Sequence, residues 1–197
     1  MYRFYYNHEI PNDVLFVLIN PQKRATSCLR NGDIVTLLSG EERIGINIFN
    51  ISTHIEIPHD GAFFSGDKSL FAAINILLIS EKLPPLEKNE NSGFFVAEIE
   101  KLEEHPLDDK SRIVTLSLGD KKVQTVSSFS GLEIGERVVV KTDGCLDREG
   151  KLFQSHVEKN IPIDVEICSF YDLQFASSSE NSPYIESKKA VGVDFFE

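Results

Sequence analysis

The chain has 197 residues, of which 41% are hydrophobic and 26% charged, so it can fold as one ordinary domain or as two small ones. Its formal net charge is −11, which opposes the basic surface that usually accompanies nucleic-acid binding. The longest apolar run, residues 74–79, is much shorter than the roughly 20 residues that span a bilayer, so we do not expect a membrane protein.

Four apolar runs in the first half of the chain are rich in β-branched and aromatic residues, which favour strands. These predicted strands are residues 2–6, 14–19, 34–38 and 44–49. Turn residues, 30–33 and 39–42, come before the third run and between the third and the fourth. The pattern therefore predicts a small antiparallel sheet.

A helix is predicted after this sheet, because apolar residues recur at the spacing of one helical face. They are Leu70, Phe71, Ile74, Leu77 and Leu78. Asp67 is a candidate N-cap, and Pro84-Pro85 ends any helix that reaches it. Residues 81–92, which contain these two prolines, several charged residues and two asparagines, are typical of a linker.

The second half of the chain is β only. Its predicted strands are residues 94–99, 113–118, 122–126, 136–141 and 163–168. Five strands without a strong helix suit a small Greek-key barrel better than a seven-stranded sandwich. We expect a mainly β protein, α+β overall, with a domain at 1–82, a linker at 83–92, a five-stranded OB-fold β-barrel at 93–175 and a tail at 176–197.

Several motifs of the second half occur in the order of one known family. Residues 104–111 contain His105-Pro106 directly after a strand, residues 123–126 and 135–140 read as a strand, a loop and a strand, and residues 167–173 close the domain. This pattern resembles the bacterial tRNA-binding domain that occurs alone and as an appendage of methionyl- and phenylalanyl-tRNA synthetases. The resemblance implies an OB fold that binds tRNA.

Two motifs of the first half, residues 31–35 and 45–52, resemble the N-terminal domain of YtpR-type tRNA-binding proteins. Together the resemblances cover the chain up to about Leu173. The chain departs from the family pattern at Leu107, at residues 128–131 and at residues 164–166, and the last of these segments carries two carboxylates.

An OB barrel binds looped or single-stranded RNA by stacking bases on aromatic side chains and by passing the backbone along cations. The predicted RNA-binding set is His105, Lys110, Arg112, Lys121, Lys122 and Phe129. We expect the four cations to lie close together on one hairpin, with Phe129 beside them as a stacking platform. Any single lysine is more often solvated surface, and any single phenylalanine more often core, so the prediction concerns the set.

No catalytic residue is predicted. His105-Pro106 followed by Asp108 is explained by turn chemistry, and neither a nucleophile nor a glycine-rich phosphate loop has a recognisable setting. Three cysteines lie far apart without metal-ligand spacing, which suits a reducing compartment. We therefore expect a cytoplasmic protein that is not an enzyme and that has no metal or cofactor.

Two functional hypotheses remain open. The first is a non-catalytic protein that binds tRNA or another structured RNA, weakly and with strong salt dependence. The second is a degenerate OB-fold module that docks on an aminoacyl-tRNA synthetase, on another part of the translation machinery or on its own copy. Residues 93–173 contain 10 basic and 16 acidic residues, which favours the second hypothesis.

Overall fold

The computed structural model describes residues 3–9, 13–57, 60–63, 68–87, 91–148, 150–176 and 182–196. In these ranges the chain is mainly β, with antiparallel sheets and one α-helix. It divides into two compact units, Met1–Asn91 and Ser92–Glu197. No helix within the described ranges is long and apolar enough to cross a membrane.

The first unit is built on six antiparallel strands. They are β1 (Arg3–Asn7), β2 (Val14–Leu18), β3 (Ser27–Asn31), β4 (Ile34–Ser39), β5 (Glu42–Ile48) and β6 (Gly61–Phe63). They form one sheet in the order β3-β4-β5-β2-β1-β6. Four of these strands confirm the predicted apolar runs, whereas the sequence pattern does not predict β3 and β6.

Strand β3 escapes prediction because it has no buried face. All five of its residues are exposed at the edge of the sheet, so its sequence lacks the alternation that marks a half-buried strand. The turn that joins it to β4 is visible in the sequence, since Gly32-Asp33 forms a two-residue connection and Gly32 has a φ of 57°.

Helix α1 (Lys68–Ser80) confirms the predicted helix and lies against the sheet. Its buried residues, Leu70, Ile74 and Leu78, share one core with the inward side chains of β1, β2 and β5. This is the result expected from apolar residues spaced three and four positions apart. The predicted N-cap, Asp67, lies outside the described residues.

The chain after the helix remains part of the first unit. Leu86, which the sequence places in the linker, is 3% exposed and belongs to the same core. The side chain of Asn75 accepts a hydrogen bond from the N–H of Leu86 at 2.7 Å and donates one to its carbonyl at 3.1 Å. The guanidinium of Arg43 donates to the carbonyls of Pro84 and Pro85.

The second unit contains a five-stranded antiparallel sheet. Its strands are β7 (Phe94–His105), β8 (Asp108–Ser117), β9 (Lys122–Ser127), β10 (Arg137–Lys141) and β13 (Glu166–Ile167), and β11 (His156–Glu158) and β12 (Ile161–Ile163) form a separate hairpin. The order of the large sheet is β13-β10-β7-β8-β9. The antiparallel β class is therefore confirmed.

The predicted closed barrel is not found, because β9 and β13 stand at the two ends of the sheet and do not pair. A link between these edges comes from Asp164. Its N–H donates to the carbonyl of Gln124 at 2.8 Å, and its carboxylate accepts the N–H of Gln124 at 2.9 Å. The two edges approach each other without a strand ladder.

Two parts of the second unit differ from the predicted strands. The apolar run 163–168 is divided between β12 and β13, and the hairpin of β11 and β12 turns at Lys159 and Asn160, which both have positive φ. The C-terminal residues 182–196 also pack on this unit. Asp194, for example, is opposite Phe95, and its carboxylate accepts a hydrogen bond from the Ser92 hydroxyl at 2.6 Å.

Candidate nucleic-acid interface

The hairpin of β7 and β8 carries the His-Pro turn, and the structure gives His105 a structural place in it. His105 is 8% exposed, and its Nδ1 accepts the N–H of Leu107 at 3.2 Å. The Asp108 carboxylate accepts the Ser111 hydroxyl at 2.6 Å and the Lys110 N–H at 3.0 Å, and these hydrogen bonds lower the pKa of Asp108. The turn is thus closed by its own side chains, which leaves little of His105 for a ligand to contact.

Arg112 and Phe129 are brought together as predicted. Arg112 is opposite Ser127 in the pairing of β8 with β9, and its guanidinium lies 3.5 Å from the carbonyl oxygens of Phe129 and Leu132. The ring of Phe129 is half-buried and packs against the core of the second unit. Arg112 therefore supports the loop, and only part of the Phe129 ring faces outward.

Lys121 and Lys122 lie at one end of the hairpin formed by β8 and β9, and Arg112 lies at the other end. The prediction that the four cations lie close together is therefore wrong. Ser117 is opposite Lys122, whereas Arg112 is opposite Ser127. Five residue steps of a strand separate these two pairs, which amounts to about 17 Å. The Lys122 ammonium also forms an ion pair with Glu100 at 2.7 Å.

Like Lys121, Lys110 is an accessible cation of the predicted set. It is exposed next to the turn, and no ion pair of its ammonium occurs within the described ranges. Glu103 and Glu104 are exposed on the neighbouring strand. The end of the hairpin that holds Lys110 and Arg112 therefore has mixed charge.

A second feature, missed by the predicted set, is a cavity of about 550 Å³ in the second unit. It lies between β9, β10, β13, the loop that follows β10, and the hairpin of β11 and β12. Lys141 and Phe153 line it. The sequence signal for this site is Lys141 itself, a lysine that directly follows the apolar run Val138-Val139-Val140, where a charged residue is unusual.

Lys141 is a buried cation with a partially exposed partner. Its side chain is 5% exposed, and its Nζ lies 3.2 Å from a carboxylate oxygen of Glu166, whose side chain is 50% exposed. Burial lowers the pKa of Lys141, but the Glu166 carboxylate more than compensates, so the pKa is raised overall. Lys141 is therefore an ammonium at neutral pH.

Within the described part of the chain, the residues around this cavity show no reactive thiol and no metal cluster. Burial raises the pKa of the Cys168 thiol well above its usual value, so the thiol is neutral. Among the residues that the structure describes, no group of three or more His, Cys, Asp or Glu side chains could hold a metal ion.

Comparison with known proteins found similarity along most of the chain. A protein of Bacillus subtilis (strain 168), named "Putative tRNA-binding protein YtpR", is 26% identical to it over 172 residues, which are 86% of each chain. The aligned length exceeds either unit alone, so the similarity extends over parts of both. No family model matches the chain.

Proposed function

We propose that this chain is a non-catalytic protein that binds tRNA or another structured RNA through its second unit. The observation that carries the proposal is the similarity to the Bacillus protein, whose name describes tRNA binding and which aligns over 86% of both chains. A role on tRNA would place the protein in the cytoplasm.

The topology of the second unit supports an OB-type domain. The sheet order β13-β10-β7-β8-β9, with Asp164 linking β9 to the segment before β13, is compatible with a five-stranded barrel that is partly open. Such barrels bind nucleic acids across their strands and through the loops at one end. The turn at Pro106, which joins the first two strands of this sheet, would be one of these loops.

The charge of this region implies weak binding. Lys110 and Arg112 can face phosphate, but Glu103 and Glu104 are close neighbours on β7, so few phosphate contacts are available. With about two contacts, a rise from 50 to 200 mM salt lowers affinity by about tenfold. Fluorescence anisotropy with labelled bulk tRNA measures this dependence. Absence of binding at low salt, or tight binding that salt does not change, contradicts the proposal.

The structure provides a matched pair of charge reversals to locate the RNA. Lys110→Glu should weaken tRNA binding about fivefold, because an accessible phosphate contact is replaced by repulsion. Lys122→Glu should change it less than about twofold, because Lys122 lies at the other end of the hairpin and is already paired with Glu100. Equal losses would show that attraction is diffuse and that the turn is not the site.

A second candidate function is docking on a protein, and an exposed aromatic group favours it. Phe175 is 58% exposed and Phe170 is 39% exposed, and the rings of both contact Tyr184. Apolar groups of this kind are common at protein interfaces. An aminoacyl-tRNA synthetase or a second copy of the chain is the partner we consider. Sedimentation of wild type and Phe175→Glu tests the second copy, since self-association should be lost in the variant.

A further inference from the structure

The cavity beside β9 has the size and the lining of a ligand site. Its volume of about 550 Å³ lies within the range of sites for small molecules and cofactors. It is assembled from three strands, a loop and a hairpin of the second unit, so it does not depend on the position of the first unit.

The charges around the cavity disfavour a phosphate group inside it. Among its described lining residues, Lys141 and Lys151 face three carboxylates, those of Asp147, Glu158 and Glu166. The described lining therefore holds one more carboxylate than ammonium group. This excess disfavours an anionic group inside the cavity, so we expect any phosphate attached to the ligand to stay outside, where the solvent screens it.

One wall of the cavity is apolar. The ring of Phe153 packs with Ile163 and Val126, and all three residues line the cavity. A flat aromatic ligand can stack on such a wall, since stacking of a base on an aromatic side chain contributes to binding whatever the base.

A hydrogen-bond donor and an acceptor lie side by side in the ion pair of the buried Lys141 with the half-exposed Glu166. Lys141 can only donate, and the Glu166 carboxylate beside it can only accept. One oxygen of Glu166 has Lys141 as its partner, and in the described part of the chain its other oxygen has no hydrogen-bond partner. A ligand edge with an acceptor next to donors would complement this pair.

Guanine has such an edge. Its O6 accepts a hydrogen bond, and its N1–H and N2–H₂ groups donate two in parallel, which suits a carboxylate. Adenine and cytosine each have only one donor group on this edge for the Glu166 carboxylate. Uracil has one N–H donor between two acceptors, and its second acceptor would lie against the carboxylate. We propose that this cavity binds one unpaired guanine base of an RNA strand, which rests on the proposed RNA-binding function and specifies the recognised element.

The direct test compares single-stranded RNA hexamers that differ in one base. Fluorescence anisotropy at 50 mM salt would measure binding of the full chain to a hexamer of adenosines and to one with guanosine at the third position. The guanosine hexamer should bind about tenfold more tightly. Inosine in that position lacks the N2 amino group, so it should lose about threefold relative to guanosine. Equal binding of the adenosine and guanosine hexamers overturns the inference.

Two double variants assign the preference to the cavity. Lys141→Met with Glu166→Leu replaces the buried pair by apolar side chains of similar size and should reduce the guanosine preference below twofold. Lys122→Met with Glu100→Leu removes a Lys–Glu pair of the same unit that does not line the cavity, and it should leave the preference unchanged. Circular dichroism verifies that both fold. If the first variant keeps the preference, the base is read elsewhere and the inference is wrong.

Binding of bulk tRNA, measured in parallel, separates the two proposals. If tRNA binds but the hexamers show no guanosine preference, the function stands and the cavity is not a base site. If the hexamers show the preference and tRNA does not bind, the cavity inference stands and the proposed function fails for tRNA. If both are absent, both proposals fail.

Discussion

The ion pair between Lys141 and Glu166 should respond unequally to removal of its two members. Glu166→Leu leaves an ammonium that is almost wholly buried without its carboxylate, whereas Lys141→Met leaves a carboxylate that already has half of its surface in water. Removing one member of a buried pair costs about 3–5 kcal/mol. Glu166 is half exposed, and the Asp172 carboxylate also attracts the Lys141 ammonium. We therefore expect Glu166→Leu to lower the free energy of unfolding by about 2–3 kcal/mol.

Lys141→Met should lower the free energy of unfolding by about 1 kcal/mol or less, because water solvates the remaining Glu166 carboxylate. The double variant should be close to wild type, since an apolar pair of similar volume replaces the ionic one. Two-dimensional NMR during urea unfolding, followed at the amides of β10, reports on the second unit alone. Equal costs for the two single variants, or a double variant as unstable as Glu166→Leu, would refute the reasoning.

The pH dependence has opposite signs in wild type and in Glu166→Leu. In wild type the pKa of Lys141 is raised, so the pair's stabilisation is complete below the pKa of the unfolded lysine and is lost as pH rises through the folded value. Without Glu166, burial dominates and lowers the pKa, so the unfolded chain holds the proton more tightly. Stability of the variant should therefore rise with pH towards the unfolded lysine pKa of about 10.4. A free energy of unfolding that stays constant between pH 7 and 10 in the Glu166→Leu variant would contradict this.

Three further predictions concern the first unit and the boundary. Asn75→Ala should destabilise the first unit by about 2 kcal/mol in urea unfolding, because both backbone groups of Leu86 lose their partner, and no measurable loss would contradict this. Tyr6 should ionise at a pKa of about 12 in NMR titrations of labelled tyrosine, mainly because it donates to Asp13, and stability should fall as pH rises from about 10. Asp13→Asn should bring its pKa towards 10.0, the ordinary value. Limited proteolysis should cut first within residues 88–91 and leave two folded halves, whereas simultaneous loss of both halves would disprove independent folding.

The predictable elements of this fold are those with one buried face. Ile44, Ile46 and Ile48 alternate along β5 and are buried, and the spacing of Leu70 and Ile74 identifies the helix. Strand β3 and strand β11 are entirely exposed, so no periodic burial marks them in the sequence. They are strands because their backbones form hydrogen bonds with a neighbouring strand, and their side chains contribute no burial.

The candidate site was predictable in composition but not in arrangement. The turn at Pro106 and the loop at Phe129 occur where the family resemblance places them, and Arg112 joins them. The predicted position of Lys121 and Lys122 beside Arg112 was wrong, because antiparallel pairing places the start of β9 opposite the end of β8. That register is a property of two strands together.

The amino-acid sequence by itself determined the β class, the single helix, the turn residues and the resemblance to tRNA-binding proteins, because each depends on neighbouring residues. Only the tertiary structure decided that the sheet ends at β9 and β13 without closing, and that Leu86 belongs to the first core. It also placed Lys141 against Glu166 beside a cavity. These features arise from contacts between segments distant in sequence, whose formation depends on the packing of the whole unit and which no local pattern encodes.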